Sequence, residues 1–278
     1  MVLFLIHLAL IGTVLLTHPS TCVANTPLGP GRETGEADLS VITLQANKIP
    51  WIGNREIVAV KLIRDQWSFR NHSFHSRTDN RRLSAREWLE ETRSVITINA
   101  GQFDTDYRHL GWFIRDGTNI GSRQHPIWKG IFASRATDTT RHPTMTIVDL
   151  QVSPQTLQAF PYREAVQSLM LFDSQRTIRV NRTGKFARRC IVAVDTDNNT
   201  YLIVTRGECT LWDLASYLLT CPLNLDRAMS MDGGAQAQIA IHTPTLNLDI
   251  PSFQIPIPCV IGFIPESVRP PEPIDPNR

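Results

Sequence analysis

The amino-acid sequence predicts a single domain of the α+β (mixed α/β) class, with mixed, largely antiparallel sheets and a few flanking helices. Short β-branched segments outnumber helical ones, and turn residues separate them. The turn sequence at 195–199, between two such segments, indicates a hairpin. The chain has no internal repeat and no regular βαβ alternation. Its 278 residues, 42% of them hydrophobic, are enough to bury a sizeable core.

The individual elements follow from local patterns. Apolar runs rich in β-branched residues predict strands, and these lie at 56–63, 95–98, 111–115, 144–148, 165–172, 190–194 and 201–204. Ser84 and Glu87 have the spacing of a capping box, which predicts a helix over 85–93. Thr210 and Asp213 have the same spacing, so a second helix is expected to run to about residue 219.

The two ends of the chain differ in composition from the middle. Residues 1–16 form an apolar run too short for a membrane span, and small residues precede position 24. The resulting division is a signal peptide at 1–24, a flexible lead-in and first element at 25–54, the main domain at 55–264 and a Pro-rich unpaired tail at 265–278. A secreted or periplasmic protein is expected, without stable membrane insertion after cleavage. The missing basic n-region leaves an uncleaved anchor open, and lipid attachment at Cys22 is a further alternative.

Charge and cysteine content limit the partners and the environment. The balance of 28 Lys+Arg against 26 Asp+Glu gives a net charge of +2, so nucleic acid is not an expected partner. Signal cleavage leaves four cysteines, an even number, and either disulfides or buried thiols agree with it. Cys209 and Cys221 flank a predicted helix about 16 Å long and should not bond to each other.

The segment 223–241 contains the strongest local signal for a site. An apolar strand ends at Asp232, and Gly233 and Gly234 follow immediately. Such glycines allow the backbone to turn sharply and to approach a ligand, and the amides of the turn can bind an anion. Taken alone, the same residues also describe an ordinary Asp-Gly-Gly turn.

Further polar residues stand beside other predicted strands. They are Asn99, Gly101, Gln102 and Asp104 after one strand, Asp116 within the segment 111–117, Gln167 and Ser168 inside a third strand, and Arg189 at the start of a fourth. Amide side chains suit sugar hydroxyls, whereas a guanidinium can bind two phosphate oxygens at once. Each of these residues also has a plain structural explanation as a core polar group, a turn or a solvated charge.

In this order the motifs resemble those of the phosphodiester glycosidase family, particularly a compact bacterial branch. The resemblance covers about residues 55–264, and its six segments are 99–104 (NAGQFD), 111–117 (GWFIRDG), 130–132 (GIF), 167–168 (QS), 189–194 (RCIVAV) and 231–234 (MDGG). The resemblance implies hydrolysis of the C–O bond between an anomeric sugar carbon and a phosphodiester. The implied substrate is an N-acetylhexosamine-type sugar-1-phosphodiester in a glycan or a cell-envelope polymer.

The resemblance also implies roles for the candidate residues. Asp232 is expected to act as nucleophile or general base, and Arg189 to bind the phosphate. The expected substrate-binding residues are Asn99, Gly101, Gln102, Asp116, Gln167, Ser168, Gly233 and Gly234. Asp104 and Asp116 are lower-ranked candidates for a second carboxylate.

Other functions agree with parts of the same pattern. The first alternative is a catalytically inactive glycan-binding or sugar-phosphate-binding protein of the same fold. The second is a phosphodiesterase that cleaves the P–O bond. No cofactor and no metal are expected, although the oxygen-rich segment 195–199 leaves calcium open beside the simpler explanation of a hairpin turn.

Overall fold

A computed structural model describes residues 37–268 of the chain. It contains two α-helices, α1 (Ala85–Thr92) and α2 (Leu211–Thr220). The strands are β1 (Leu39–Gln45), β2 (Glu56–Leu62), β3 (Trp67–Ser73), β4 (Ile96–Asn99), β5 (Phe113–Arg115), β6 (Thr118–Asn119), β7 (Gly130–Ala136), β8 (Met145–Asp149), β9 (Tyr162–Phe172), β10 (Cys190–Asp195), β11 (Thr200–Thr205), β12 (Leu225–Ser230), β13 (Ile239–His242), β14 (Asn247–Ile250) and β15 (Cys259–Pro265). The expected signal peptide and most of the Pro-rich tail lie outside the described residues.

The strands form two sheets in which neighbouring strands are antiparallel. The large sheet has ten strands in the order β1-β2-β11-β10-β12-β9-β5-β6, with β7 and β8 attached through β9. The small sheet has the order β14-β13-β4-β15-β3. The main hydrophobic core fills the space between the two sheets, while α1 covers the outer face of the small sheet and α2 that of the large one. The predicted fold class is thereby confirmed.

Alternating side chains explain why the central strands are apolar along their whole length. Val58, Val60 and Leu62 of β2 point into the core between the sheets, while Ile57 and Ala59 point toward α2. Strands β10 and β11 show the same alternation. Because both faces of the large sheet are covered, these strands appear in the sequence as continuous hydrophobic runs.

Both predicted helices begin where the sequence indicates, each with its predicted N-cap residue. Ser84 accepts a hydrogen bond from the backbone of Glu87, whose side chain accepts one from the Ser84 backbone, so both halves of the capping box form. The side chain of Thr210 accepts from the Asp213 backbone at the start of α2. Neither α1 nor α2, the two α-helices within 37–268, is long and apolar enough to cross a membrane.

Strand pairing extends slightly beyond the predicted domain limits. β15 includes Pro265, which lies opposite Trp67, and the Glu266 backbone donates to Gln66. The hairpin predicted at 195–199 joins β10 to β11. The first element within residues 37–268 is β1, which pairs along its full length with β2 at the edge of the large sheet.

The structure contains no disulfide between the four cysteines within 37–268. Cys190 and Cys259 lie in the core between the sheets, whereas Cys209 lies in the core against α2. Burial raises the pKa of Cys209 and of Cys259 to about 12, so both remain protonated thiols. Cys209 lies before the start of α2, whereas Cys221 follows its last residue and donates its thiol to the Leu218 carbonyl. Disulfides, one of the two sequence-based interpretations, are therefore wrong for these cysteines in the structure.

Candidate active site

The segment between β12 and β13 carries the chain from the large sheet to the small one. Met231 continues the pairing of the large sheet by donating its backbone N–H to Cys190. One residue later, the Asp232 backbone donates to Ala100 at the end of β4 in the small sheet, at 3.2 Å. Gly234 then has a left-handed φ of 66°, and its N–H donates to Arg188. Asp232 therefore lies at the junction of the two sheets.

Asp232 is a half-buried carboxylate fixed by its own turn. The Gly233 N–H donates to its Oδ1 at 2.9 Å, and Asn99 Nδ2 donates to its backbone carbonyl at 2.9 Å. Burial raises the pKa of the Asp232 carboxyl, although the Gly233 N–H and the positive charge of Lys185 act in the opposite direction. A carboxylate with this environment is held in place and is more basic than an exposed one.

Arg189 is buried immediately beside this turn. Its Nε donates to the Cys209 carbonyl at 2.9 Å, and Nη2 donates to the Lys185 carbonyl. A Cβ atom added to Gly233 would lie 3.4 Å from Nη1. Nη1 has no hydrogen-bond partner among the described residues, so it is available to an anion at the turn. Burial lowers the pKa of this guanidinium, which nevertheless stays charged.

These groups line one small pocket of about 150 Å³. Its lining residues are Gln102, Leu169, Lys185, Ala187, Arg189, Leu211, Ser230, Met231, Asp232, Gly233 and Gly234. Of the predicted site residues, the structure therefore brings together Gln102, Arg189, Asp232, Gly233 and Gly234. The Gln102 side chain is exposed and makes no hydrogen bond within 37–268, so its amide is available to a ligand.

Sequence reasoning missed Lys185. This exposed lysine lies in the irregular segment before β10, and no strand or turn pattern marks it. The one available signal was the basic run Lys185, Arg188 and Arg189 just before a predicted strand. Lys185 and Arg189 together bring two positive charges to the pocket that contains the Asp232 carboxylate.

Asn99 positions the turn and does not line the pocket. Besides binding the Asp232 carbonyl, its Oδ1 accepts the Gln238 backbone N–H at 3.1 Å. The buried Gln238 side chain in turn accepts the Ala85 N–H at the start of α1. These hydrogen bonds fix the segment between β12 and β13 against β4 and α1.

Gln167 and Ser168 lie behind the pocket. The Gln167 side chain accepts the backbone N–H groups of Trp112 and His125, and it donates to the carbonyls of His125 and Trp128. Because this fully buried amide is saturated, the expected direct contact with substrate does not fit its position. Ser168 Oγ donates to the Ser230 carbonyl at 2.6 Å and supports the pocket wall from behind.

The two further carboxylates are not gathered into the pocket. Asp116 is in the β5–β6 turn, where Arg70 and Arg135 bind its carboxylate at 2.7 Å. Asp104 Oδ1 accepts the backbone N–H groups of Asp106 and Arg108 within its own turn. Both carboxylates are occupied by structural contacts, so the expectations of a substrate-binding Asp116 and of a second carboxylate beside Asp232 do not match the geometry.

The oxygen-rich segment at 195–199 is used by the hairpin itself. Asp195 Oδ1 accepts hydrogen bonds from the backbone N–H groups of Asp197 and Asn199. Lys61 Nζ lies 3.6 Å from Asp195 Oδ2. Among residues 37–268, no group of three or more His, Cys, Asp or Glu side chains has the arrangement of a metal site. The hairpin explanation accounts for these residues.

The model of the phosphodiester glycosidase family matches residues 92–264, which is more than half of the chain. The chain belongs to this family. The matched range includes β4, Arg189 and the Asp232 turn, and thus every residue of the pocket. No functionally curated protein matches the chain in sequence.

Two solved structures are similar to this family member. It is similar to the catalytic domain of zebrafish N-acetylglucosamine-1-phosphodiester alpha-N-acetylglucosaminidase, auto-inhibited by its pro-peptide, with a TM-score of 0.55 and 17% identity over 82% of each chain. A hypothetical protein from Synechocystis has a TM-score of 0.48 and 13% identity over 81% of this chain and 62% of that one. At these identities the likeness concerns the fold alone.

Gly101 leaves room for the ring of His109 to pack behind the pocket. A Cβ atom on Gly101 would lie 2.6 Å from Nε2 of His109, so any larger residue would collide with the ring. The His109 ring stacks on Phe113 with centroids 4.8 Å apart. Neither ring nitrogen has a well-formed hydrogen bond among the described residues. Burial lowers the pKa of His109 to about 4, against a smaller contribution from the Gly111 backbone.

We expect His109 to make the fold sensitive to acid. Its pKa is lower in the folded protein than the ordinary 6.5, so the stability it contributes is present above pH 6.5 and is lost as the pH falls through 4. The free energy of unfolding should fall by up to about 1.4 kcal/mol per pH unit from this group alone. Urea unfolding between pH 7 and pH 4 measures this slope.

The variant His109→Gln removes the titrating ring and should reduce the slope, whatever its effect on stability at pH 7, while the buried His72, whose pKa burial lowers to about 3, keeps its own contribution. His75→Gln is the control because it makes the same substitution at an exposed histidine. An equal slope in wild type and His109→Gln would contradict the prediction.

Proposed function

We propose that this protein is an exported hydrolase that cleaves the sugar C–O bond of a sugar-1-phosphodiester. The sugar is of the N-acetylhexosamine type and belongs to a glycan or a cell-envelope polymer. The observation that carries the proposal is the position of the half-buried Asp232 carboxylate in one pocket with Arg189 and Lys185. Membership of the phosphodiester glycosidase family supports the reaction class.

The two cations suit the departing group of this reaction. A phosphate monoester is a much better leaving group than a sugar alkoxide, so protonation by a general acid is less necessary than in ordinary glycoside hydrolysis. Stabilisation of the negative charge that develops on the phosphate is then the main requirement. Arg189 Nη1 lies at the Gly233 turn without a partner in the described chain, and Lys185 adds a second charge at the exposed rim.

Asp232 supplies the chemistry at the anomeric carbon. As a nucleophile it would attack this carbon directly, and as a general base it would activate a water molecule. Both roles need a deprotonated, fixed carboxylate, and the hydrogen bonds from Gly233 and Asn99 hold the turn in one conformation. Gln102 has an unbound amide in the same pocket, which suits an acetamido or hydroxyl group of the sugar.

The localisation and the bond that breaks are parts of the same proposal. Export rests on the sequence of residues 1–24, which lie outside the described structure. C–O cleavage rests on the family and on a pocket with a carboxylate able to reach a carbon centre. A P–O-cleaving phosphodiesterase would instead use water at phosphorus, and isotope labelling separates the two reactions.

The test is the release of free sugar from a panel of α-linked N-acetylhexosamine-1-phosphodiesters in oxygen-18 water. We expect turnover of at least one panel member, with the label in the sugar and none in the phosphate. Label in the phosphate would replace the proposal with a phosphodiesterase. Binding of the sugar phosphate by the folded protein without any release would favour the catalytically inactive glycan-binding alternative.

A further inference from the structure

A second and larger cavity lies away from the candidate active site. It has a volume of about 370 Å³, within the range of small-molecule sites, and shares no lining residue with the candidate active site. Strand β8, the segment 152–161, the start of β9 and Arg227 of β12 form its walls. Arg227 precedes Asp232 by five residues, or about 16 Å of extended chain. The two pockets are therefore separate.

Tyr162 points a hydroxyl group without a partner into this cavity. The residue is only 4% exposed, and its hydroxyl makes no hydrogen bond with any residue in 37–268. Burial raises the pKa of Tyr162 to about 12, so the hydroxyl keeps its proton and can donate it. Although the ring is buried, the hydroxyl oxygen itself is not enclosed, so the cavity offers room for a hydrogen-bond partner.

Arg227 supplies a positive charge in the same cavity. Its contact in the described structure is an ion pair between its Nε and the carboxylate of the neighbouring Asp226, at 3.2 Å. The two terminal nitrogens, Nη1 and Nη2, make no hydrogen bond with other described residues. Its charge is close enough to act on the Tyr162 hydroxyl. A guanidinium and a phenol that both donate into one space form a site for an oxyanion.

The acidic residue in the cavity wall does not cancel this charge. Asp149 is bound by Arg179 at 3.2 Å, and its Oδ1 accepts the Gln151 backbone N–H. The remaining wall combines the aromatic rings of Phe160 and Tyr162, whose centroids lie 5.6 Å apart, with hydroxyl and amide side chains. Aromatic faces pack against the C–H groups of a sugar ring, and the polar side chains suit its hydroxyls.

We propose that this cavity is a second saccharide-binding site, which takes a sugar unit with an acidic group and holds that group between Tyr162 and Arg227. The acidic group is a carboxylate or a phosphate, since both present oxygens to the same donors. The proposal does not depend on the hydrolytic activity and would stand if the protein were only a glycan-binding protein.

The experiment is an NMR titration of protein labelled with carbon-13 in its tyrosine rings. The chain has four tyrosines, and the signal missing in Tyr162→Phe identifies Tyr162. The probes are glucuronate, N-acetylglucosamine 1-phosphate and neutral N-acetylglucosamine. We expect at least one acidic sugar to shift the Tyr162 signal, with affinity at least tenfold above that of the neutral sugar.

The variant Arg227→Gln should weaken this binding about tenfold or more, in line with the loss of a hydrogen bond to a charged group. Arg206→Gln is the matched control because Arg206 has the same 30% side-chain exposure and an ion pair elsewhere on the large sheet. The proposal fails if neither acid moves the Tyr162 signal of the folded wild type. It fails equally if the neutral sugar binds as well as the acids, or if Arg227→Gln binds as the wild type does.

Discussion

Replacing Asp232 with asparagine should lower kcat for sugar release about 10³-fold while leaving the fold intact. Asparagine keeps the Oδ1 atom that accepts the Gly233 N–H, so the turn can form as before. It cannot serve as nucleophile or general base, and such groups contribute about 10²- to 10⁴-fold to catalysis. Rates on the best panel substrate, with circular dichroism to check folding, measure this loss.

Binding separates the chemical role of Asp232 from a structural one. Asp232→Asn should bind the sugar phosphate at least as tightly as the wild type, because a negative charge near the phosphate has been removed. Asp65→Asn is a suitable control, since Asp65 is exposed, lies outside the pocket and has a left-handed φ of 61° that asparagine tolerates. Full activity in Asp232→Asn would remove Asp232 from the mechanism.

The elements with local signals could be predicted from the sequence. The two helix starts depended on pairs three residues apart, Ser84 with Glu87 and Thr210 with Asp213, and both formed. The hairpin between β10 and β11 likewise depended on its own turn residues. The order of strands in the two sheets was not predictable in this way, because it depends on contacts between distant segments.

The residues of the candidate site likewise differ in whether a local sequence pattern marks them. Asp232, Gly233 and Gly234 were recognisable because a strand-end carboxylate before two glycines is a continuous pattern. The saturated environment of Gln167 was not predictable, since its four hydrogen bonds are made with Trp112, His125 and Trp128, which are far from it in sequence. Lys185 was missed because it lies in an irregular segment without a local pattern. Only the folded chain brings its charge close to Asp232, which is distant in sequence.

The junction between the sheets explains how one pocket collects residues from distant parts of the chain. The segment after β12 leaves the large sheet at Met231 and joins the small sheet through Asp232 and Ala100. The irregular segment before β10 passes the same point and carries Lys185 and Arg189. Two well-packed sheets thus fix the carboxylate and the guanidinium relative to each other, which pre-organises the pocket.

Arg189→Lys should lower kcat/KM about 100-fold although the positive charge is kept. The guanidinium uses Nε and Nη2 to bind the carbonyls of Cys209 and Lys185, which leaves Nη1 at the Gly233 turn. A lysine ammonium places its three donors at one point and cannot reach two carbonyls and a phosphate at once. Hydrogen bonds to charged groups are worth about 1.5–3 kcal/mol, which corresponds to roughly 10- to 100-fold in affinity.

Inhibition by inorganic phosphate provides the readout that a general loss of stability would not change. If Arg189 binds the phosphate of the substrate, the inhibition constant should rise in Arg189→Lys by a factor similar to the loss in kcat/KM. Arg86→Lys controls for the substitution itself, because the half-buried Arg86 also binds a backbone carbonyl, that of Ile241, away from the pocket. An unchanged inhibition constant beside a reduced rate would mean that Arg189 shapes the turn and does not bind the phosphate.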